Sequence, residues 1–149
     1  MITSRERRGF VVSRLSGVST THSGRIDLSH IVEIRTEVRD ANGVRAACDR
    51  LRLEPPVEGK TQLYSGEVEG LAVRLRDWRY PVVFHTATGE AKYDNFNGRW
   101  GEQSRLDEFF QAYAVEKAKI EARRKGHSVT EQSLADGSIK LTVQVGGAA

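Results

Sequence analysis

A single cysteine, Cys48, is all the thiol this chain contains, so no internal disulfide can form and there is no cystine framework of the kind that staples secreted domains. No run approaches the roughly 18 uninterrupted apolar residues of a membrane span, and no apolar leader opens the sequence. The expectation is a soluble, cytoplasmic protein without membrane contact. The four histidines, His22, His30, His85 and His127, fall in four separate stretches with no CxxC, HxxxH or HExxH spacing, which predicts no metal centre. Nucleophile signatures and phosphate-cradling glycine loops are also missing, because GEVEG at 66–70 lacks the following helix that such a loop needs. No cofactor and no catalytic residue are assigned, and a hydrolase or nucleotide enzyme is not indicated.

What the chain does contain is charge, unevenly placed. The pI of 9.2 invites a nucleic-acid reading, but residues 1–27 hold five arginines against Glu6 and Asp27, a net of +3 that accounts for the whole excess. From Leu28 onward, basic and acidic residues balance at 18 each, out of totals of 23 and 20. The expected folded part therefore offers no general field to steer phosphate. Rich in Ser, Thr, Gly and Arg, residues 1–27 read as a disordered basic arm whose one apolar patch is Phe10-Val11-Val12. Deleting such an arm is expected to leave the thermal midpoint unchanged, because it buries too little to offset its ordering entropy.

From Ser29 the pattern alternates strictly, with Val32, Ile34, Thr36 and Val38 on one face of a half-buried strand. Asp40 then caps a helix whose Val44, Ala47, Cys48 and Leu51 share a stripe, and on that stripe Cys48 reads as a small buried hydrophobe. Pro55-Pro56 and Gly59 mark a crossover loop; strands are expected at 61–69 and 71–77 around Gly70, and at 80–86 and 90–96 around Thr88-Gly89. The organising element is the helix from Ser104, read as its N-cap, to Lys125, with Leu106, Phe109, Phe110, Tyr113, Lys117 and Ile120 on one stripe and Gly126 as its stop. A hairpin around Asp136-Gly137 closes the chain. The order predicts an α+β domain over 28–145, a single mainly antiparallel sheet of about six to seven strands with two helices on one face in an elaborated ferredoxin-like layout, and a flexible tail over 146–149.

Four stretches taken together, SHIVEIRTEVRD at 29–40, RWG at 99–101, QAYAVEK at 111–117 and ADGSIKL at 135–141, resemble the family of hypothetical chloroplast reading frame thirty-five, found in cyanobacteria, plastids and other bacteria. The resemblance spans about residues 28–145 and implies the domain boundaries and fold. It implies no activity, since that family is uncharacterised, although the encoding of its members near AAA-type ATPases implies an accessory role. Arg99 stands where the family has a first tryptophan, and Val115-Glu116 where it has Tyr-His, so sites built on those groups do not carry over. The family's first methionine aligns with Leu28, and leucine codons serve as bacterial starts, which makes a start at Leu28 a second reading of residues 1–27.

Two features stand out for function. Lys117 lies on an apolar stripe one turn after Tyr113, where its ammonium must find a partner or reach water; an ion pair is the simpler reading and a ligand pocket at Lys117 and Tyr113 the functional one. Basic and aromatic residues interleave in RLRDWRY at 74–80 and KYDNFNGRW at 92–100. Arg74, Arg76, Trp78, Arg99 and Trp100 are the binding candidates there. Such residues are enriched in protein interfaces and can also stack bases. The leading expectation is a non-enzymatic module that docks a protein partner, including an AAA-type ATPase complex. The alternatives are a nucleic-acid-binding accessory protein, and an enzyme or small-ligand binder at Lys117 and Tyr113. Trp100 is expected to plug the core at the entrance of the long helix.

Overall fold

The structure is a computed structural model that describes residues 7–12, 19–20 and 31–146. Its elements run β1 (Arg7–Val12), β2 (Ser19–Thr20), β3 (Val32–Arg35), α1 (Ala41–Arg50), β4 (Val57–Gln62), β5 (Glu67–Val73), β6 (Val82–His85), β7 (Glu90–Tyr93), α2 (Gln103–Arg124), β8 (Ser128–Ser133) and β9 (Ile139–Gln144). The fold is α+β. The strands form two antiparallel sheets, however, a larger one in the order β2-β3-β7-β6-β5-β4 and a three-stranded one in the order β1-β9-β8. The single sheet of the ferredoxin-like expectation is therefore corrected.

The reason lies in α2, which is apolar on two sides. Leu106, Phe109, Phe110 and Tyr113 enter the main core with Val44, Ala47 and Cys48 of α1 and with Ile34, Leu71, Val73, Val82, Phe84 and Ala91 of the larger sheet. At about 100° per residue, Gln111, Val115, Ala118 and Ala122 fall on nearly the opposite side of the helix. There Val115 and Ala118 pack with Ile139, Leu141, Val12 and Val129 in a second, smaller core. The closing hairpin alternates Ile139, Leu141 and Val143 with polar residues, and this second side of α2 covers its apolar face. Joining the larger sheet would have left that side of the helix bare.

Arg7–Val12 is the strand that completes the small sheet, in register with β9 from Arg7 opposite Gln144 to Val12 opposite Ile139. The expected disordered arm is corrected over these six residues; the remainder of 1–27, apart from Ser19–Thr20, lies outside the described residues. Buried Gln111 fixes the strand's end, its Nε2 donating to the carbonyls of Val12 at 3.2 Å and Gly137 at 2.8 Å. The strand is held by its ladder with β9 and by Val12, which packs against the smaller core, while Phe10 and Val11 remain exposed. Of the expected tail only Gly146 is described, its amide donating to His127 Nδ1 at 3.2 Å.

Local expectations hold unevenly. Asp40 is the N-cap of α1, its carboxylate accepting from the Asn42 amide at 2.9 Å. The N-cap of α2 is Glu102, without a side-chain cap bond; Ser104 lies in the first turn and donates to the Glu102 carboxylate at 3.3 Å. Gly59 belongs to β4, and the hairpin expected at Gly70 turns instead at Leu63–Gly66, where the Leu63 amide donates to the Gly66 carbonyl at 2.8 Å. Gly70 stays inside β5, at φ 154°, because a Cβ there would meet the Phe84 carbonyl oxygen at 2.6 Å.

Candidate functional site

The two interleaved stretches come together at the entrance of α2, and they divide the two tryptophans between inside and outside. Trp78 is the core plug. It is 8% exposed, meets Tyr93 edge-on at 5.5 Å and donates from Nε1 to the Glu102 carbonyl at 3.0 Å. Gly101 has no room for a side chain, since a Cβ would fall within the Trp78 ring. The core position expected for Trp100 is therefore filled by Trp78.

Trp100 is half-buried and forms the hub of a surface cluster. Its ring stacks on Phe96 at 4.8 Å and 22° and meets Tyr64 at 5.1 Å and Tyr80 at 5.6 Å. The Arg79 guanidinium lies over it at 4.9 Å and over Tyr80 at 5.7 Å, while that of Arg99 lies over Phe96 at 5.1 Å. Backbone bonds hold the arrangement: the Arg79 amide donates to the Trp100 carbonyl at 2.8 Å, and the Trp100 amide to the Asn95 carbonyl at 2.9 Å. The loop takes Phe96 and Asn97 through positive φ, 47° and 54°. That conformation is costly for a side chain as large as Phe96, and the stack beneath Trp100 helps to offset it.

The electrostatics of this end are simple. Asp94 is fully buried, and Asp77, although its side chain is 79% exposed, faces Arg105 at 3.6 Å. Arg79 and Arg99 are exposed. Neither guanidinium makes an ion pair or a hydrogen bond among the described residues. Arg74 and Arg76 are exposed too but join no ring contact there; Arg76 reaches the Leu51 carbonyl at 3.5 Å, at the end of α1.

Lys117 and Tyr113 are engaged elsewhere. The Lys117 ammonium lies 2.9 Å from both Asp40 and Glu121. Bonding to Asp40 and then Glu121 raises its pKa, and the same ammonium holds the Asp40 and Glu121 carboxyls below their usual range. The Tyr113 hydroxyl accepts from the amides of Arg39 at 3.2 Å and Asp40 at 3.1 Å, which locks the start of α1 onto α2. A second charge network joins α1, α2 and β8. In it Arg50 bonds Glu131 at 2.6 Å and Glu116 at 3.2 Å, and Lys119 pairs with the same two carboxylates. The Arg50 bond brings the Glu131 carboxyl down to about 2. Cys48 is buried, and burial pushes its thiol up to about 11.

Of the seven candidates, the structure brings Arg99 and Trp100 into one cluster, makes Trp78 and Tyr113 part of the core, pairs Lys117, and leaves Arg74 and Arg76 apart from the rings. The sequence reading did not single out Tyr64, Tyr80, Phe96 or Arg79. Tyr64 had a signal, an aromatic immediately before Ser65-Gly66 at a hairpin turn, where only exposure is available to it; it is 57% exposed. Among the described residues no helix is long and apolar enough to cross a membrane, and no group of three or more His, Cys, Asp or Glu is placed to hold a metal ion. No family model, curated protein or solved structure matches the chain.

Proposed function

We propose that the chain is a non-enzymatic interaction module of the cytoplasm that docks a protein partner on the Trp100 surface. The observation that carries this reading is the cluster itself, with Tyr64, Tyr80 and Phe96 around Trp100 and two arginines laid over the rings. Tyr, Trp and Arg are the residues that dominate interface energetics, and a pre-stacked set loses little side-chain entropy on binding. The groups that acid–base or nucleophilic chemistry would need are engaged in folding, since Lys117 is paired, Tyr113 accepts two amides and Cys48 is buried. This weighs against an enzyme or small-ligand site there. The resemblance to the family of hypothetical chloroplast reading frame thirty-five adds an AAA-type ATPase complex as the partner it implies.

The test is capture from native lysate with the full chain, in parallel with Trp100→Ala and with nuclease treatment. A stoichiometric protein retained by the parent and lost by a folded Trp100→Ala supports the proposal. Capture that disappears with nuclease favours the nucleic-acid alternative, in which the same rings stack bases. Capture indifferent to Trp100 overturns the assignment of the surface.

A further inference from the structure

The state of the arginines narrows the kind of partner, on the reading that the Trp100 cluster docks a protein. Three arginines elsewhere are committed to carboxylates, Arg50 to Glu116 and Glu131, Arg105 to Asp77 and Glu108, and Arg124 to Glu121, while others such as Arg74 have neither a carboxylate nor a ring among the described residues. Arg79 and Arg99 differ. Each guanidinium lies over an aromatic ring, Arg79 over Trp100 at 4.9 Å and Arg99 over Phe96 at 5.1 Å, and among the described residues neither has a carboxylate. A planar guanidinium that uses its face on a ring still has its N–H edge for acceptors in its own plane, and a carboxylate meets that edge with two parallel bonds. Stacking also limits the orientations of the fork, so that less freedom is lost when an acceptor arrives. The acidic residues closest in sequence offer neither arginine an ion pair: Asp94 is fully buried, Asp77 faces Arg105, and the exposed Glu102 carboxylate accepts from the Ser104 hydroxyl.

We infer that the partner presents an acidic segment, whose carboxylates engage Arg79 and Arg99 while an apolar side chain between them packs against Trp100 and Tyr64. A nucleic acid fits less well. Two forks are few for a phosphate backbone, since that binding grows with the number of phosphates neutralised, and from Leu28 onward the chain is balanced in charge. Acidic segments need only what is here, two positioned forks beside an apolar anchor point.

Fluorescence anisotropy with the full chain tests this. The probes are a labelled peptide alternating Glu and Leu around one Phe, its counterpart with Gln for every Glu, and labelled oligothymidylate. The acidic peptide is expected to bind about ten-fold or more tighter than the Gln peptide, as charged hydrogen bonds do. That advantage should vanish in Arg79→Gln/Arg99→Gln and persist in Arg74→Gln/Arg76→Gln, with both variants retaining the parent's unfolding midpoint. Equal binding of the two peptides overturns the acidic class, as does no binding of the acidic one at millimolar protein, an advantage that survives Arg79→Gln/Arg99→Gln, or tighter binding of oligothymidylate. In each of these cases the docking surface itself still stands if Trp100→Ala loses the protein captured from lysate. If that capture is also indifferent to Trp100, both readings fall.

Discussion

The far side of α2 and the Trp100 end are both built from charge and apolar surface, but among the described residues only the first pairs its cations with carboxylates. Beneath the small sheet, Arg50 and Lys119 share the carboxylates of Glu116 and Glu131, and Gln111 serves two backbone carbonyls. At the Trp100 end the rings and guanidinia stack on one another, yet the arginine edges meet no carboxylate of the described chain. The first region has the chemistry of an interior seam. On the proposed reading the second is half an interface, in which the fold supplies rigidity and a partner supplies the polar acceptors.

The largest expected effect tests whether the exposed end rests on a buried one. Trp78→Ala removes the plug on which Gly101 packs, and the loss should be about 3–5 kcal/mol by urea unfolding, in the range of buried aromatic truncations. A much smaller loss would mean that the loop carries itself, and the contrast between the two tryptophans would fail. On the closed side, Gln111→Leu leaves the carbonyls of Val12 and Gly137 without their side-chain donor. It should cost about 1–3 kcal/mol. Deleting residues 1–12 should lower the thermal midpoint by several degrees, because it removes β1 and uncovers part of the smaller core. An unchanged midpoint would return the arm to the disordered reading and leave the small sheet as a plain hairpin.

A smaller effect depends on pH. Glu131 titrates at about 2 in the folded protein against an ordinary 4.5. Its folded value is depressed, so its contribution is present above about pH 4.5 and is lost as pH falls through about 2. Glu131→Gln should therefore flatten the acid limb of the stability profile and cost about 1–2 kcal/mol at neutral pH, between the exposed and buried extremes for ion pairs. A parent profile already flat over that window would show that the network contributes nothing measurable.

How far the sequence discloses this arrangement depends on the element. The strand before Asp40, the cap at Asp40, the α1 stripe and the Asp136-Gly137 hairpin are all legible, because each is specified locally by period or by turn chemistry. The second side of α2 is written in the chain at 111, 115, 118 and 122, but it is composed of Gln, Val and two Ala, which carry little hydrophobic contrast; the single-sheet expectation follows from missing it. β1 is hidden for a related reason, since its pairing is with β9, far along the chain, and Val12 alone of Phe10-Val11-Val12 packs into the smaller core while Phe10 and Val11 stay exposed. At the site, the basic and aromatic spacing marks the right two stretches, yet local pattern does not decide which tryptophan turns inward. That choice is made by the turn at Leu75–Trp78 and by Gly101, which come together only in the fold.

Urea unfolding of Trp100→Ala, run beside Trp78→Ala, tests the central claim most directly. Trp100 is half-buried among surface rings, so its truncation should cost at most about 1–2 kcal/mol from lost ring pairs, against about 3–5 for Trp78. The same folded variant should lose 2 kcal/mol or more of partner affinity, roughly thirty-fold. If Trp100→Ala instead unfolds as readily as Trp78→Ala, Trp100 belongs to the core, and the Arg79 and Arg99 surface is structural packing without a partner to receive.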